Sequence, residues 1–389
     1  MQDNTSKSRL NGIRFLRQFF FFLFFLVYMD ILVITYVPPL DDSLFDNNYR
    51  LPSGQELVML PFYLEHIKAV SKNIHESKTI AFIGASPTYG IKIKKSENTY
   101  PYAYKKAFNK ISPSNSRNLV VYNISANGFL LSDQYYILKK IIFDADIFFI
   151  QLNYHTFNPA TLNSTKIRYP ELPEKLQVSV SSDEAKLLDK RPTPFLATNF
   201  YIQNILKKYW AFYREKDRLA STIFNENPEL YFYHLYEKYF LKAKAGEQLD
   251  KIFTPFIELT PAQQMIIVKR YNKISHFKIN DSNSEISFLN KILELLKNNK
   301  KKAAFFLAPV NVGAINDFEL IDWNEYKQNV SVISEHIKKD SFLFLDYNRT
   351  QPLPEEYFFD ISHTLDNGGE YFGDILFKDT KDYVLSFTP

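Results

Sequence analysis

Lys78-Thr-Ile-Ala81-Phe-Ile-Gly84-Ala-Ser86-Pro-Thr-Tyr-Gly90 decides the fold. Thr79 to Ile83 is a continuous apolar run, the pattern of a strand buried on both faces of a sheet. It leads into a small-residue turn, Gly84-Ala-Ser86, which leaves the Ser86 hydroxyl at the carboxyl edge. Open α/β sheets place their chemistry at that edge. Only 10 of the 389 residues are glycine, and only Gly84 is followed two positions later by serine. The grouping of Gly84, Ser86 and Gly90 therefore marks a special turn.

An α/β alternation extends outward from this stretch. A helix is expected around Tyr102–Lys110, a strand over Asn118–Ile124, a helix over Leu130–Ile142 and a strand over Asp146–Leu152. The pattern resumes with strand Ala303–Ala308, a helix near Trp323–Lys338, strand Ser341–Leu345 and a last helix from about Leu365 to Phe377. Between these halves, about 161–299, the alternation stops. Prolines 170, 173, 192 and 194 punctuate a loop region. Helices are expected after it at Asn199–Leu219, Glu229–Ala243, Pro261–Tyr271 and Glu285–Asn298. This is a helical insertion, and its entry just after the third strand predicts that it covers the crevice.

The N-terminus has a different character. Residues 1–18 are polar and basic, a cytoplasmic tail. Residues 19–37 begin Phe19-Phe-Phe-Phe-Leu and continue apolar for about the 20 residues a spanning helix needs. Lys7, Arg9, Arg14 and Arg17 precede the run; Asp41, Asp42 and Asp46 follow it. The positive-inside rule puts the following chain outside the cytoplasm. Pro38-Pro39 ends the run and no small-residue cleavage site follows, so a retained signal anchor is expected. Residues 38–75 are a juxtamembrane stalk with a helix over Glu56–Lys72, and 76–389 the α/β domain. Asp30 lies inside the span, where an acid costs about 2.5–3.5 kcal/mol. It is expected to be hydrated toward the outer face or paired with a membrane partner.

Composition excludes several classes. There is no cysteine, hence no disulfide framework and no thiolate zinc site. No His/Asp/Glu cluster has metal-ligand spacing, so neither metal nor cofactor is expected. The net charge of +4 is scattered, without a basic stripe for nucleic acid.

Ser86 needs a base and an orienting carboxylate to act as a nucleophile. Of seven histidines only His363 has an acid three residues before it, in Asp360-Ile-Ser-His363. Oxyanion donors are sought in the Ser86 N–H, the Gly128 N–H and the Asn153 side chain. Gly128 follows the second strand and also fits a plain Asn-Gly turn. Asn153 ends the third strand and also fits a strand-end cap. His155 is read as structural, and the aromatic helix Phe200–Tyr213 as packing against the sheet, with a glycan or membrane-surface role the lesser reading.

This order resembles the SGNH/GDSL hydrolase superfamily over about 80–160 and 300–389: Gly-x-Ser-x-x-x-Gly, a glycine after strand two, an asparagine after strand three, a C-terminal Asp-x-x-His. The tail Asp360-Ile-Ser-His-Thr-Leu-Asp-Asn-Gly-Gly is most similar to membrane-anchored members such as alginate O-acetylation and D-alanyl transfer proteins. The resemblance implies a three-layer α/β/α fold with a parallel sheet. It implies Ser86 as nucleophile, His363 as base and acid, Asp360 as orienter, and Ser86, Gly128 and Asn153 as the oxyanion hole. It further implies a serine esterase or O-acyltransferase working on an envelope glycan or polymer, supplied by a multi-spanning membrane acyltransferase. Two departures stand out: Ala85 replaces the usual acid before the serine, and Gln151-Leu-Asn153-Tyr154 keeps only the asparagine of its block. The rival expectation is a non-catalytic accessory protein that binds the polymer or the acyltransferase.

Overall fold

The computed structural model describes residues 3–36, 50–51, 56–72, 78–111, 119–159, 169, 171–187, 202, 205–206, 209–224, 253–271, 276–280 and 282–386. The chain divides into two compact units, Met1–Asp42 with Pro192–Phe232, and Ser43–Arg191 with Tyr233–Pro389. In chain order α1 (Asp3–Tyr36) is followed by α2 (Glu56–Ser71), β1 (Lys78–Gly84), the single turn α3 (Ser86–Tyr89), α4 (Tyr100–Ile111), β2 (Leu119–Ser125), α5 (Leu131–Ile141) and β3 (Ile147–Leu152). Then come α6 (Ala211–Phe224), α7 (Pro261–Lys269), α8 (Ser284–Asn298), β4 (Lys302–Leu307), α9 (Val312–Asp317), α10 (Trp323–Lys339), β5 (Leu343–Asp346) and α11 (Asp366–Leu385). The helix expected over Glu229–Ala243 lies outside the described residues.

The larger unit is α/β. Its five strands are parallel and ordered β2-β1-β3-β4-β5. The chain leaves β1 to one side for β2 and returns to the other side for β3. The carboxyl end of β1 is thus a topological switch point, where crossover loops diverge and leave a crevice. Ile80, Phe82, Phe149, Ala304 and Phe306 form one face of the sheet with Tyr100, Tyr104 and Phe108 of α4 and Phe372, Leu376 and Phe377 of α11. Phe82 stacks on Phe149 at 4.6 Å between ring centroids, with Tyr104 edge-on to both at 5.5 and 5.2 Å. Such pairs add about 0.5–1.5 kcal/mol beyond the area they bury. The alternate residues Ala81, Ile83, Phe148, Ile150 and Phe305 are equally buried. Both faces are therefore covered, which explains why these strands read as unbroken apolar runs.

Two helices belong to this unit more closely than their place in the sequence suggests. α2 buries Met59, Leu60, Leu64 and Ile67. Its Tyr63 lies edge-on to Tyr122 of β2, and Glu65 pairs with Lys140 of α5. α8 packs on α5 and delivers the chain to β4, so it is the β3-to-β4 crossover helix.

The smaller unit contains α1. Its segment Arg14–Tyr36 has a mean hydropathy of 2.3 and is long and apolar enough to cross a membrane. α6 packs against α1.

Candidate active site

β1 ends where Gly84 passes close under the next turn. A Cβ on Gly84 would collide with the side chains of Thr88 and Gln151, so glycine alone fits there. Ala85 keeps extended backbone (φ −104°, ψ −154°) and starts the one-turn helix α3. Pro87 sits in the first turn of α3, where its missing N–H costs nothing. Gly90 closes the turn in left-handed backbone, φ +74°, and donates its N–H to the Ser86 carbonyl at 2.9 Å. Strand, Pro-started turn and left-handed stop together present Ser86, half-buried, at the switch point.

The loop before α11 carries the partner groups. Phe358 and Thr364 form an antiparallel bridge, and the Phe359 N–H donates to the His363 carbonyl at 2.9 Å. Phe359 and Ile361 anchor the loop in an apolar cluster with Phe256, Leu259, Ile267 and Ile315. Asp360 Oδ1 accepts the backbone N–H groups of Ser362 and His363, each at 2.8 Å. Its Oδ2 lies 2.7 Å from His363 Nδ1, and His363 Nε2 lies 2.8 Å from Ser86 Oγ. Residues 277 positions apart are thereby joined in one hydrogen-bonded chain. Burial alone would raise the Asp360 carboxyl. The His363 charge and the hydrogen bonds from His363 and two backbone amides outweigh burial and hold it below its ordinary value. An ionised Asp360 accepts from Nδ1–H, which leaves Nε2 with its lone pair toward the serine hydroxyl.

The three expected oxyanion groups border the same edge by register. Gly84 pairs with Ser125, so Ser86 and Gly128 lie just beyond one end of the β1–β2 ladder. Ile83 pairs with Ile150, and Asn153 follows β3 at a matching level. Gly128 has φ +76°, the left-handed backbone that its Asn-Gly turn favours.

Gln151 is a site residue that the motifs do not reveal. It is fully buried in β3. Its Oε1 accepts the N–H groups of Ala85 at 3.1 Å and Thr88 at 3.0 Å, and the Thr88 hydroxyl. Its Nε2 donates to Asn153 Oδ1. One carboxamide thus ties the serine turn to the asparagine. Asn123 of β2 adds a bond from Nδ2 to the Thr88 carbonyl at 3.0 Å. The sequence does contain a sign, a glutamine inside an apolar strand, because a buried polar group needs partners. The neighbouring Ala85 side chain is 1% exposed, and its N–H donates to Gln151.

Tyr271 likewise has no motif to mark it. Its hydroxyl hydrogen-bonds Ser362 Oγ at 3.1 Å and also Asp360. Burial first, and then the Asp360 charge, push that hydroxyl far above its usual range, so it stays protonated. His155 stands near the dyad but outside the hydrogen-bonded chain. Burial, then the charge of His363, push it down to about 4, so its ring is neutral at neutral pH. A cavity of about 20 Å³ lies there, lined by Tyr154, His155, Tyr271, Tyr326, Ile361 and Ser362 among others. It has room for about one water, not for an acyl chain. Among the described residues no group of three or more His, Cys, Asp or Glu is placed to hold a metal ion.

No model of a known protein family matches the chain, and no curated protein matches it.

Proposed function

We propose that this protein is a serine O-acyltransferase or esterase with the SGNH-type three-layer fold. In this reading α1 anchors it in the membrane, the larger unit works outside the cytoplasm, and the substrate is an envelope glycan or polymer. The observation that carries the reading is the chain Ser86 Oγ, His363 Nε2, His363 Nδ1, Asp360 Oδ2 at the switch point of a parallel sheet. That geometry suits nucleophilic acyl chemistry.

In the reaction, Ser86 Oγ attacks the carbonyl carbon of an ester or thioester while its proton passes to His363 Nε2. Asp360 stabilises the imidazolium through Nδ1. The oxyanion is received by the N–H groups of Ser86 and Gly128 and by Asn153 Nδ2. Gln151 aims that Nδ2 by holding the opposite end of the carboxamide. Collapse expels the alcohol or thiol, which takes the proton from His363 and leaves an acyl-Ser86 ester. An acceptor hydroxyl, from sugar or water, then gives its proton to His363 and attacks the ester carbonyl; the Ser86 Oγ–acyl bond breaks as His363 returns that proton to Ser86 Oγ. The acyl donor is supplied by a multi-spanning membrane acyltransferase.

The experiment is labelling of the full chain with a fluorophosphonate. The phosphonyl group should attach at Ser86, found by peptide mass, and Ser86→Ala should remove it. A folded wild-type protein that takes up no label overturns the enzymatic reading and leaves an accessory binding protein.

A further inference from the structure

Asp30 has a partner within its own chain. Its Oδ1 accepts the backbone N–H of Phe212 at 2.8 Å. Phe212 is the second residue of α6, a helix of 14 residues. The first N–H groups of a helix have no partner inside it, and they carry its positive dipole end. The Asp30 side chain from α1 therefore satisfies one of them. The contact belongs to a packed seam. On α1 the residues withdrawn from solvent are Leu26, Met29, Asp30, Leu32 and Val33, while the rest of Arg14–Tyr36 is exposed. On α6 Ala211 is buried, and Glu215 and Leu219 follow it at helical spacing, half-buried.

Position along α1 sets the depth of this seam. Asp30 is six residues short of Tyr36, about 9 Å along the helix axis. If α1 crosses the bilayer, the first turn of α6 lies that far below the end of the span. Interfacial helices bury about 5–10 Å into the boundary between headgroups and acyl chains. The residues around that turn have the composition of this zone. Trp210 stacks on Tyr213 at 5.9 Å, and Ile202, Ile205 and Tyr209 are exposed. Arg214 and Lys216 are also exposed. Aromatic rings settle at headgroup level, and cations favour anionic headgroups. The Trp210 N–H donates to the Leu206 carbonyl, and the Arg214 N–H to that of Trp210.

We propose that residues 209–224 are a second membrane element: a helix lying in the lipid headgroup region beside α1, locked there by Asp30, and binding an anionic bilayer surface. The proposal rests on α1 spanning the membrane and is independent of any chemistry at Ser86. It accounts for the acid inside the span without a second protein. It also gives the chain two membrane attachments, which restrict how the anchor rotates.

The chain has two tryptophans, Trp210 and Trp323, so Trp323→Phe leaves Trp210 as the only indole. The full chain carrying that change is placed in phosphatidylcholine–phosphatidylglycerol vesicles with bromine at defined acyl-chain depths. Shallow bromines should remove about half of the emission and deep ones less, as an interfacial site requires. Adding Asp30→Leu should reduce the quenching severalfold, and Asp30→Asn, which keeps the acceptor oxygen, should retain it. Alkaline carbonate washing separates the two ideas. Protein released by the wash overturns the spanning reading and this proposal with it. Protein that stays but shows an unquenched Trp210 overturns the interfacial helix alone, and points to a protein surface covering it. Quenching in the Asp30→Leu variant equal to that of the parent overturns the role of the Asp30 lock.

Discussion

Gln151 holds Asn153 by the oxygen. Nε2 of Gln151 donates to Oδ1 of Asn153 and leaves the Asn153 amide N–H groups out of that bond. The same glutamine accepts from Ala85 and Thr88 on either side of Ser86. The Ser86 turn and Asn153 are thus joined by one buried side chain.

Gln151→Met keeps the volume and removes both ends of this link. Fluorophosphonate labelling of Ser86 should slow by about the 10²–10³-fold that losing one oxyanion donor costs. Asn153→Ala should slow it by a similar factor. If the two residues act as one unit, the double variant is no slower than the worse single variant. Multiplying effects would show that Gln151 and Asn153 act separately.

Asp360→Asn tests the tautomer. The asparagine Oδ1 still accepts from Ser362 and His363 N–H, so the loop keeps its shape. Its amide then faces Nδ1 as a donor, which moves the ring proton to Nε2 and blocks proton uptake from Ser86. Turnover of an aryl acetate should fall by about 10⁴-fold, with the melting temperature near that of the parent. Ser86→Ala and His363→Ala should each abolish labelling in proteins that remain folded. Wild-type turnover by Ser86→Ala would remove the serine from the mechanism.

Tyr271→Phe removes one donor from the buried Asp360 and Ser362 pair. A hydrogen bond to a charged group contributes about 1.5–3 kcal/mol. With His363 and two backbone amides still bound to Asp360, we expect kcat to fall roughly tenfold and KM to hold. The acid limb of the kcat profile should shift upward, because the carboxylate loses a stabilising donor. A rise in KM with kcat unchanged would place Tyr271 on the substrate instead.

Glu285 sets a pH-dependent stability. It is 1% exposed, and burial pushes its carboxyl from 4.5 up to about 7, against the pull of the Leu131 N–H. A raised carboxyl means that the folded state holds the proton longer than the unfolded one. Its destabilising contribution therefore begins as pH rises above 4.5 and is complete above about 7, where it reaches about 3 kcal/mol. Glu285→Gln keeps an acceptor for Leu131 and cannot ionise. Thermal melts should show the variant gaining stability over the parent at pH 8 and little at pH 5. Parallel curves across that range would refute the assignment.

Some of this was legible in the residues themselves. A strand buried on both faces must be apolar without a break, so β1, β3 and β4 stand out within a residue or two of their observed ends. The acid three places before His363 is a local relation, because the same short loop supplies both the backbone amides and the imidazole that Asp360 binds. Tertiary structure decided the rest. Strand order puts β1 between β2 and β3, and that alone makes the end of Thr79–Ile83 a crevice. Gln151 reads in the sequence only as a polar interruption of an apolar strand, since its partners Ala85 and Thr88 come from the turn after a neighbouring strand. Asp30 reads in the sequence as an acid that is hydrated or paired with another membrane protein, since Phe212 lies 182 positions away. Periodicity and short motifs record what a residue does with its chain neighbours. Which distant donor meets which acceptor is set by how helices and strands pack, and no spacing within the chain encodes it.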